Sequence, residues 1–423
     1  GHEMRKNRKG RKEEKYDIDR VHGSFSANMK GLRTFVTQLT PVVKKHDVDS
    51  LKKVVKDIEK VFKTVGISES ELRAKKIKKT KLKLTQEQEN QILAVAKNLV
   101  RHPPLPLHNL ELLHKSTFVM LISYLDFLIS DLIHYYYQVY PRSLSGKDLS
   151  ITLNELNVCS NLGEARDFIV NKEVESVLYR SLPEQRKYFS NQLKIDCKEN
   201  IINWNKINEA VERRNIIVHN NSIINRRYLK NVDLSFVPGK RKDLKEGEKI
   251  VIDEDYFAGL FDEIFVAGTI LIQCCWRKWK KDDINEANVS LRDSVYDALL
   301  EERWAIAERL GLFSKECDVG NQSNRLCLEI NYWQSLKWQN KKDELEKELK
   351  RFDVSGLSPR YALALCALKS DRDGFYKNVK KAIITDKLTK EDLMEWPLFR
   401  EFRRDPDFEK RIKRVFRSVS TSA

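Results

Sequence analysis

Arg213-Arg214-Asn215-Ile216-Ile217-Val218-His219 sets two arginines, an asparagine and a histidine around three consecutive β-branched apolar residues. Upstream, Trp204, Ile207, Ala210 and Val211 recur at helical spacing, so residues 203–219 read as one helix. On that helix Asn215 and His219 are four apart and share a face, with Arg214 to one side. Asn220-Asn221-Ser222 follows and favours a helix end just after His219. A histidine at a helix C-terminus is partly exposed, and with an ordinary pKa of about 6.5 it takes or gives a proton near neutral pH. An arginine beside it presents a fork that matches a phosphate. Metal-free RNA cleavage needs such a pair, one group to activate the ribose 2′-OH and one cation for the charge developing on phosphorus. Taken by themselves the same residues also fit a capping histidine with surface arginines, a common arrangement.

The surroundings are helical too. Residues 107–140 read as a long helix with a broad apolar face, including Phe118, Leu121, Ile122, Leu125, Leu128, Ile129, Leu132 and Ile133, closed by Pro141. A face this wide implies burial on several sides, or burial plus a dimer contact. Residues 255–279 form another mostly apolar helix. Between the motif and that helix, 232–236 alternates and 249–253 is β-rich, joined by a charged loop with Gly239 and Gly247, which predicts a small β-hairpin.

Towards the N-terminus, 5–16 is basic and poor in apolar residues. Residues 24–65 carry two apolar stripes separated by Lys44-Lys45-His46-Asp47-Val48-Asp49-Ser50, which predicts an α-hairpin with its loop there. The six lysines of 75–83 suit a solvated linker or a phosphate-facing strip. Residues 85–100 are amphipathic, and Pro103, Pro104 and Pro106 then break the chain. Towards the C-terminus, Lys280-Lys281-Asp282-Asp283 is a polar break. Helices follow over 286–313, 325–352, 361–368 and 374–384. At an offset of 34, Leu328 matches Ala362, Leu345 matches Val379 and Leu349 matches Ile383, the period of a tetratricopeptide helical repeat. The expected domains are therefore 1–104, 105–280 and 281–423, with Gly1-His2-Glu3 a tag remnant before Met4.

The net charge of +16 suggests an anionic partner, nucleic acid ahead of a membrane surface. Seven widely spread cysteines without a C-x-x-C pair fit a reducing compartment. No uninterrupted apolar run reaches a membrane span, and no signal peptide is read at the start, so a cytoplasmic protein without membrane contact is expected. His22, His46, His102, His108, His114 and His134 form no metal-ligand spacing, so no metal and no cofactor are expected. No glycine-rich phosphate loop supports a nucleotidyl- or phosphotransferase.

Arg214-Asn215-Ile216-Ile217-Val218-His219 resembles the R-N-x-x-x-H signature of the HEPN superfamily of ribonucleases. Leu121-Ile122-Ser123-Tyr124-Leu125-Asp126-Phe127-Leu128 resembles that family's earlier core helix, and the flanks 204–207 and 225–229 resemble its surroundings of the motif. The resemblance covers roughly 105–280, less than half the chain. It implies an all-α HEPN-type bundle that dimerises, bringing two motifs into one composite cleft. It implies a metal-independent endoribonuclease leaving 2′,3′-cyclic phosphate and 5′-OH ends. Arg214 would contact the scissile phosphate, His219 would be the acid/base and Asn215 would orient the arginine or the substrate. Arg213 and Asn220 would add RNA contacts. Some toxin members carry a tyrosine two residues after the histidine; Asn221 stands there instead, a departure from that subtype. A toxin or anti-phage effector held off by a regulatory protein or antitoxin is the expectation, and a non-catalytic RNA-binding or dimerisation adaptor the alternative.

Overall fold

With 15 glycines and 10 prolines in 423 residues, few positions interrupt a helix. The computed structural model describes residues 16–64, 85–101, 108–145, 150–236, 244–352 and 356–420. These residues are all-α: they contain no strand, and one isolated antiparallel bridge joins Ile223 to Lys249. The basic segment 5–15 and the lysine run 75–83 lie outside the described residues. The chain divides into two compact units, one of residues 24–127 and 205–261, the other of residues 1–23, 128–204 and 262–423.

The first unit holds the motif. Helix α1 (Ile18–Thr64) contributes from Ser24 onward, followed by α2 (Gln86–Arg101) and the first part of α3 (His108–Val139). The expected α-hairpin is corrected here: α1 runs unbroken through 44–50, with Pro41 inside it. The polar stretch carries no glycine, and one of its residues serves a distant helix end. The buried Asp47 carboxylate accepts from the Leu110 backbone N–H at 2.9 Å and from Asn109 Nδ2 at 2.6 Å. It thereby satisfies a donor that the first turn of α3 cannot satisfy itself. Burial pushes the Asp47 carboxyl up, but these donors win and hold it below the ordinary carboxylate range.

The expected β-hairpin is not formed by the described residues. Leu234–Phe236 is a 3-10 turn, and 237–243 lie outside the description. The edge at 247–250 pairs instead with 222–224, directly after the motif helix. Helix α7 (Trp204–His219), α8 (Arg226–Asn231) and the start of α9 (Glu254–Trp279) complete this unit. Ile216, Ile224, Tyr228, Leu244 and Ile250 form a small buried cluster beneath the motif.

The second unit contains α4 (Leu153–Val158), α5 (Leu162–Leu178) and α6 (Leu182–Tyr188), then a succession of packed helices. These are α10 (Ile284–Leu300), α11 (Trp304–Lys315), α12 (Gln322–Trp338), α13 (Lys342–Arg351), α14 (Pro359–Leu368), α15 (Arg372–Asp386), α16 (Lys390–Glu395), α17 (Arg400–Arg403) and α18 (Phe408–Ser420). The single helices expected over 286–313 and 325–352 are each two. Glu302 and Asn340 take left-handed φ of 58° and 60°, and the N–H groups of Arg303 and Lys341 reach back to Ala298 O and Leu336 O. That is a Schellman-type stop made without glycine, which hid both turns from composition. A shift of 34 residues carries 325–334 onto 359–368 (α14) and 342–351 onto 376–385, within α15. Gly311 permits the close approach of α11 and α12, since a Cβ there would lie 2.8 Å from Tyr332 Cβ.

Two of the long helices bear on the expected absence of a membrane span. Asn109–Val139 and Glu254–Trp279 are long and apolar enough to cross a membrane by length and composition, and 50% and 72% of their apolar windows are buried inside the molecule. Asp126 and Asp131 interrupt the first without lowering its average enough to exclude it.

Candidate functional site

Helix α7 carries the motif, and its inner face fixes it. Ile207, Ala210 and Ile216 are buried, while His219 at the last helical position and Asn220 and Asn221 just past it are exposed. The helix stops because Asn221 and Ser222 adopt left-handed φ of 49° and 67°. The N–H groups of Asn220 and Ser222 both return to Ile216 O, at 2.9 and 3.0 Å, and Asn220 Nδ2 donates to Ile223 O at 2.7 Å. Asn220 therefore acts as a clamp on the turn. The chain beyond is stitched down: Ile250 N–H donates to Ser222 O, Ile224 N–H to Glu248 O and Gly247 N–H to Ile224 O, all within 2.8–2.9 Å. His219 thus stands exposed on an anchored helix end.

The two arginines part company. Arg213 points inward with 2% exposure. Its Nε donates to Glu209 Oε1 at 2.8 Å, its Nη1 to Val251 O at 3.0 Å, and its guanidinium lies 3.8 Å over the Tyr256 ring. Glu209, fully buried one turn earlier, also accepts from the Tyr228 hydroxyl and from the Tyr256 hydroxyl at 2.6 Å. Burial, reinforced by the Glu209 charge, pushes both phenols above their ordinary range, so they stay protonated donors. The expected RNA contact of Arg213 is corrected accordingly: it neutralises Glu209 and braces α7 from beneath.

Arg214 faces α3. Its Nη2 lies 3.4 Å from Asp126 Oδ2, both side chains remain about a quarter exposed, and its Nε is buried without a hydrogen-bond partner. Burial raises the Asp126 carboxyl above its ordinary value, and the positive charge of Arg214 offsets only part of that. Asn215 is half-buried, on the side of α7 shared with His219. Five residues of helix set Arg214 about 140° around the axis and ~7.5 Å along it from His219. Apolar surface flanks the site. Val218 is 51% exposed and Phe127 53%, with Met120 and Leu112 also exposed on α3.

No family model, curated protein or solved structure matches the chain.

Two of these site residues escaped sequence reasoning. Asp126 had a usable signal, an acid inside an otherwise apolar window, which demands a partner. Glu209 had a second signal, its position four before Arg213. The spacing of four residues identified neither which cation would turn inward nor which would meet α3.

Proposed function

We propose that this chain is a metal-independent endoribonuclease of the HEPN type, with Arg214, Asn215 and His219 as its working residues. The observation that carries the reading is the motif's placement: an exposed histidine at an anchored helix end, with a partly exposed arginine on the preceding turns. In the proposed reaction an imidazole of His219 takes the proton of a ribose 2′-OH. The 2′ oxygen attacks the adjacent phosphorus, the P–O5′ bond breaks, and the departing 5′ oxygen is protonated. The ends left are a 2′,3′-cyclic phosphate and a 5′-OH, and the guanidinium of Arg214 compensates the charge that builds on phosphorus. One imidazole cannot hold both protonation states at once, so a second copy supplies the other. The exposed Val218 next to His219, and the exposed Phe127, Met120 and Leu112 along α3, suit such a pairing.

The contact between Asp126 and Arg214 also belongs to this reading. A carboxylate resting on the phosphate-binding cation describes a resting enzyme, in keeping with an effector restrained until triggered. The same contact is what favours the second reading, an RNA-binding or dimerisation adaptor whose arginine is permanently occupied. The 34-residue correspondence of α12 to α14 and α13 to α15 supports a tetratricopeptide-like region that would receive a regulatory partner.

The test uses purified protein, total RNA and excess chelator. Wild type is expected to give fragments with cyclic phosphate ends, and His219→Ala and Arg214→Ala to lose at least about 100-fold in rate. Equal cleavage by wild type and His219→Ala removes the enzyme reading. Retained RNA binding without cleavage leaves the adaptor.

A further inference from the structure

Helix α18 (Phe408–Ser420) closes the array with an unusual charge distribution. Phe408 and Ile412 are buried, and Val415, Phe416 and Val419 pack against the same core. On the opposite side, Lys410, Lys413, Arg414 and Arg417 fall within an arc of about 100° and are exposed. Glu409 is the helix's one acid, 3.5 Å from Lys413. Among the described residues Lys410 and Arg414 have no ion pair. Helix α13 (Lys342–Arg351) is a contrast, because Asp343, Glu344, Glu346 and Glu348 balance its four bases. An ordinary solvated helix face is therefore built with mixed signs in this same array, and α18 is not.

The strip is wider than one helix. α15 packs beside α18, and Arg411 lies 4.5 Å over the Tyr376 ring of α15. Opposite its own buried Phe375 and Val379, α15 exposes Lys377 and Lys380. We propose that the outer faces of α15 and α18 form a binding surface for the sugar-phosphate backbone of RNA, apart from the residues that cleave it. Cations three and four residues apart stand ~5–6 Å from one another on a helix, so successive turns can meet successive phosphates. A membrane surface fits less well. A helix that lies in a lipid interface needs its apolar side free, and here that side is buried in the protein. The choice of RNA over another polyanion rests on the ribonuclease reading; the existence of the polyanion surface does not.

The experiment measures binding of a labelled 2′-O-methyl RNA strand to the full chain by fluorescence anisotropy over a series of salt concentrations. That strand has no 2′-OH to attack, so binding is read without cleavage. For Lys410→Gln/Lys413→Gln/Arg414→Gln the slope of log K against log salt should become shallower by about 2, three contacts at ~0.7 each, and affinity at low salt should fall at least about tenfold. Lys377→Gln/Lys380→Gln should do the same to a smaller extent. Lys347→Gln/Lys350→Gln on the balanced α13 should change neither. Unchanged binding in the triple variant overturns the proposal, as does an equal loss in the α13 control, which would reduce the effect to net charge. Tighter binding to phosphatidylserine vesicles than to RNA, lost in the triple variant, also overturns it in favour of a membrane surface. Failure of the ribonuclease reading is seen separately, as wild-type protein that binds this strand through α18 yet cleaves no natural RNA.

Discussion

Asp126 and Arg214 make the smallest contact on which the proposed chemistry turns. The pair is single and long at 3.4 Å, and it leaves the Arg214 Nε unpartnered. The Asp126 carboxyl is raised by burial more than the guanidinium lowers it. Its contribution to stability is therefore complete below the unfolded carboxylate value of about 3.9 and is lost as pH rises through the raised folded value. At neutral pH the charged form is an expense, so Asp126→Asn is expected to melt at the same temperature as wild type or higher. It should also free Arg214 for phosphate and raise the initial rate of RNA cleavage several-fold. A variant that melts higher but cleaves more slowly would make Asp126 a group that orients Arg214 rather than one that restrains it. Arg213 teaches the complementary lesson. Nothing in Arg213-Arg214 says which of two adjacent cations turns inward; the answer lies in Glu209, which accepts from Arg213 one turn later, and in Tyr228 and Tyr256, whose hydroxyls donate to that same carboxylate from two other elements.

Helix α1 shows how a polar stretch can mislead. Residues 44–50 look like a loop because charge is dense there, but the stretch has no glycine and its aspartate caps α3 from 63 residues away in sequence. Asp47→Ala should cost about 1–2 kcal/mol in denaturant unfolding at pH 7, the usual range for losing a helix N-cap. Because the folded Asp47 carboxyl is lowered, its contribution is full above the unfolded value of about 3.9 and fades as pH falls through the folded one. The gap between wild type and Asp47→Ala should therefore close in acid, and a gap that persists there would assign the loss to packing. The long helices α3, α7 and α9 were legible because their apolar periodicity extends over many turns. The turns at Glu302 and Asn340 were not, since ordinary residues adopt the left-handed conformation there. The pairing of 247–250 with 222–224 was missed for another reason. Alternation in 232–236 is a local signal, whereas the partner actually used lies just past the motif helix.

At the level of the whole molecule, the two units hold different parts of the proposed work. The motif, Asp126 and the exposed apolar stripe of α3 belong to one, and the basic faces of α15 and α18 belong to the other. The motif unit is incomplete as a catalyst if a second imidazole is required, and its stripe indicates where the second copy would come from. Leu112, Met120 and Phe127 fall within about 80° of one another around α3, and Val218 is next to His219. A stable pairing usually buries about 1,200–2,000 Å² in total, with a few large apolar side chains at its centre. Phe127 is the largest of these and sits one residue from Asp126. Placing a charge there should therefore separate the copies without touching Arg214 or His219. Wild type is expected to sediment as a dimer at micromolar concentration and Phe127→Glu as a monomer with unchanged helical circular dichroism. Cleavage by the variant should fall at least about tenfold and recover as protein concentration is raised, because association becomes limiting. A wild type that cleaves RNA as a monomer, or a Phe127→Glu monomer that cleaves at the wild-type rate, would place both proton transfers on a single chain and send the search for the second group back to the surroundings of His219.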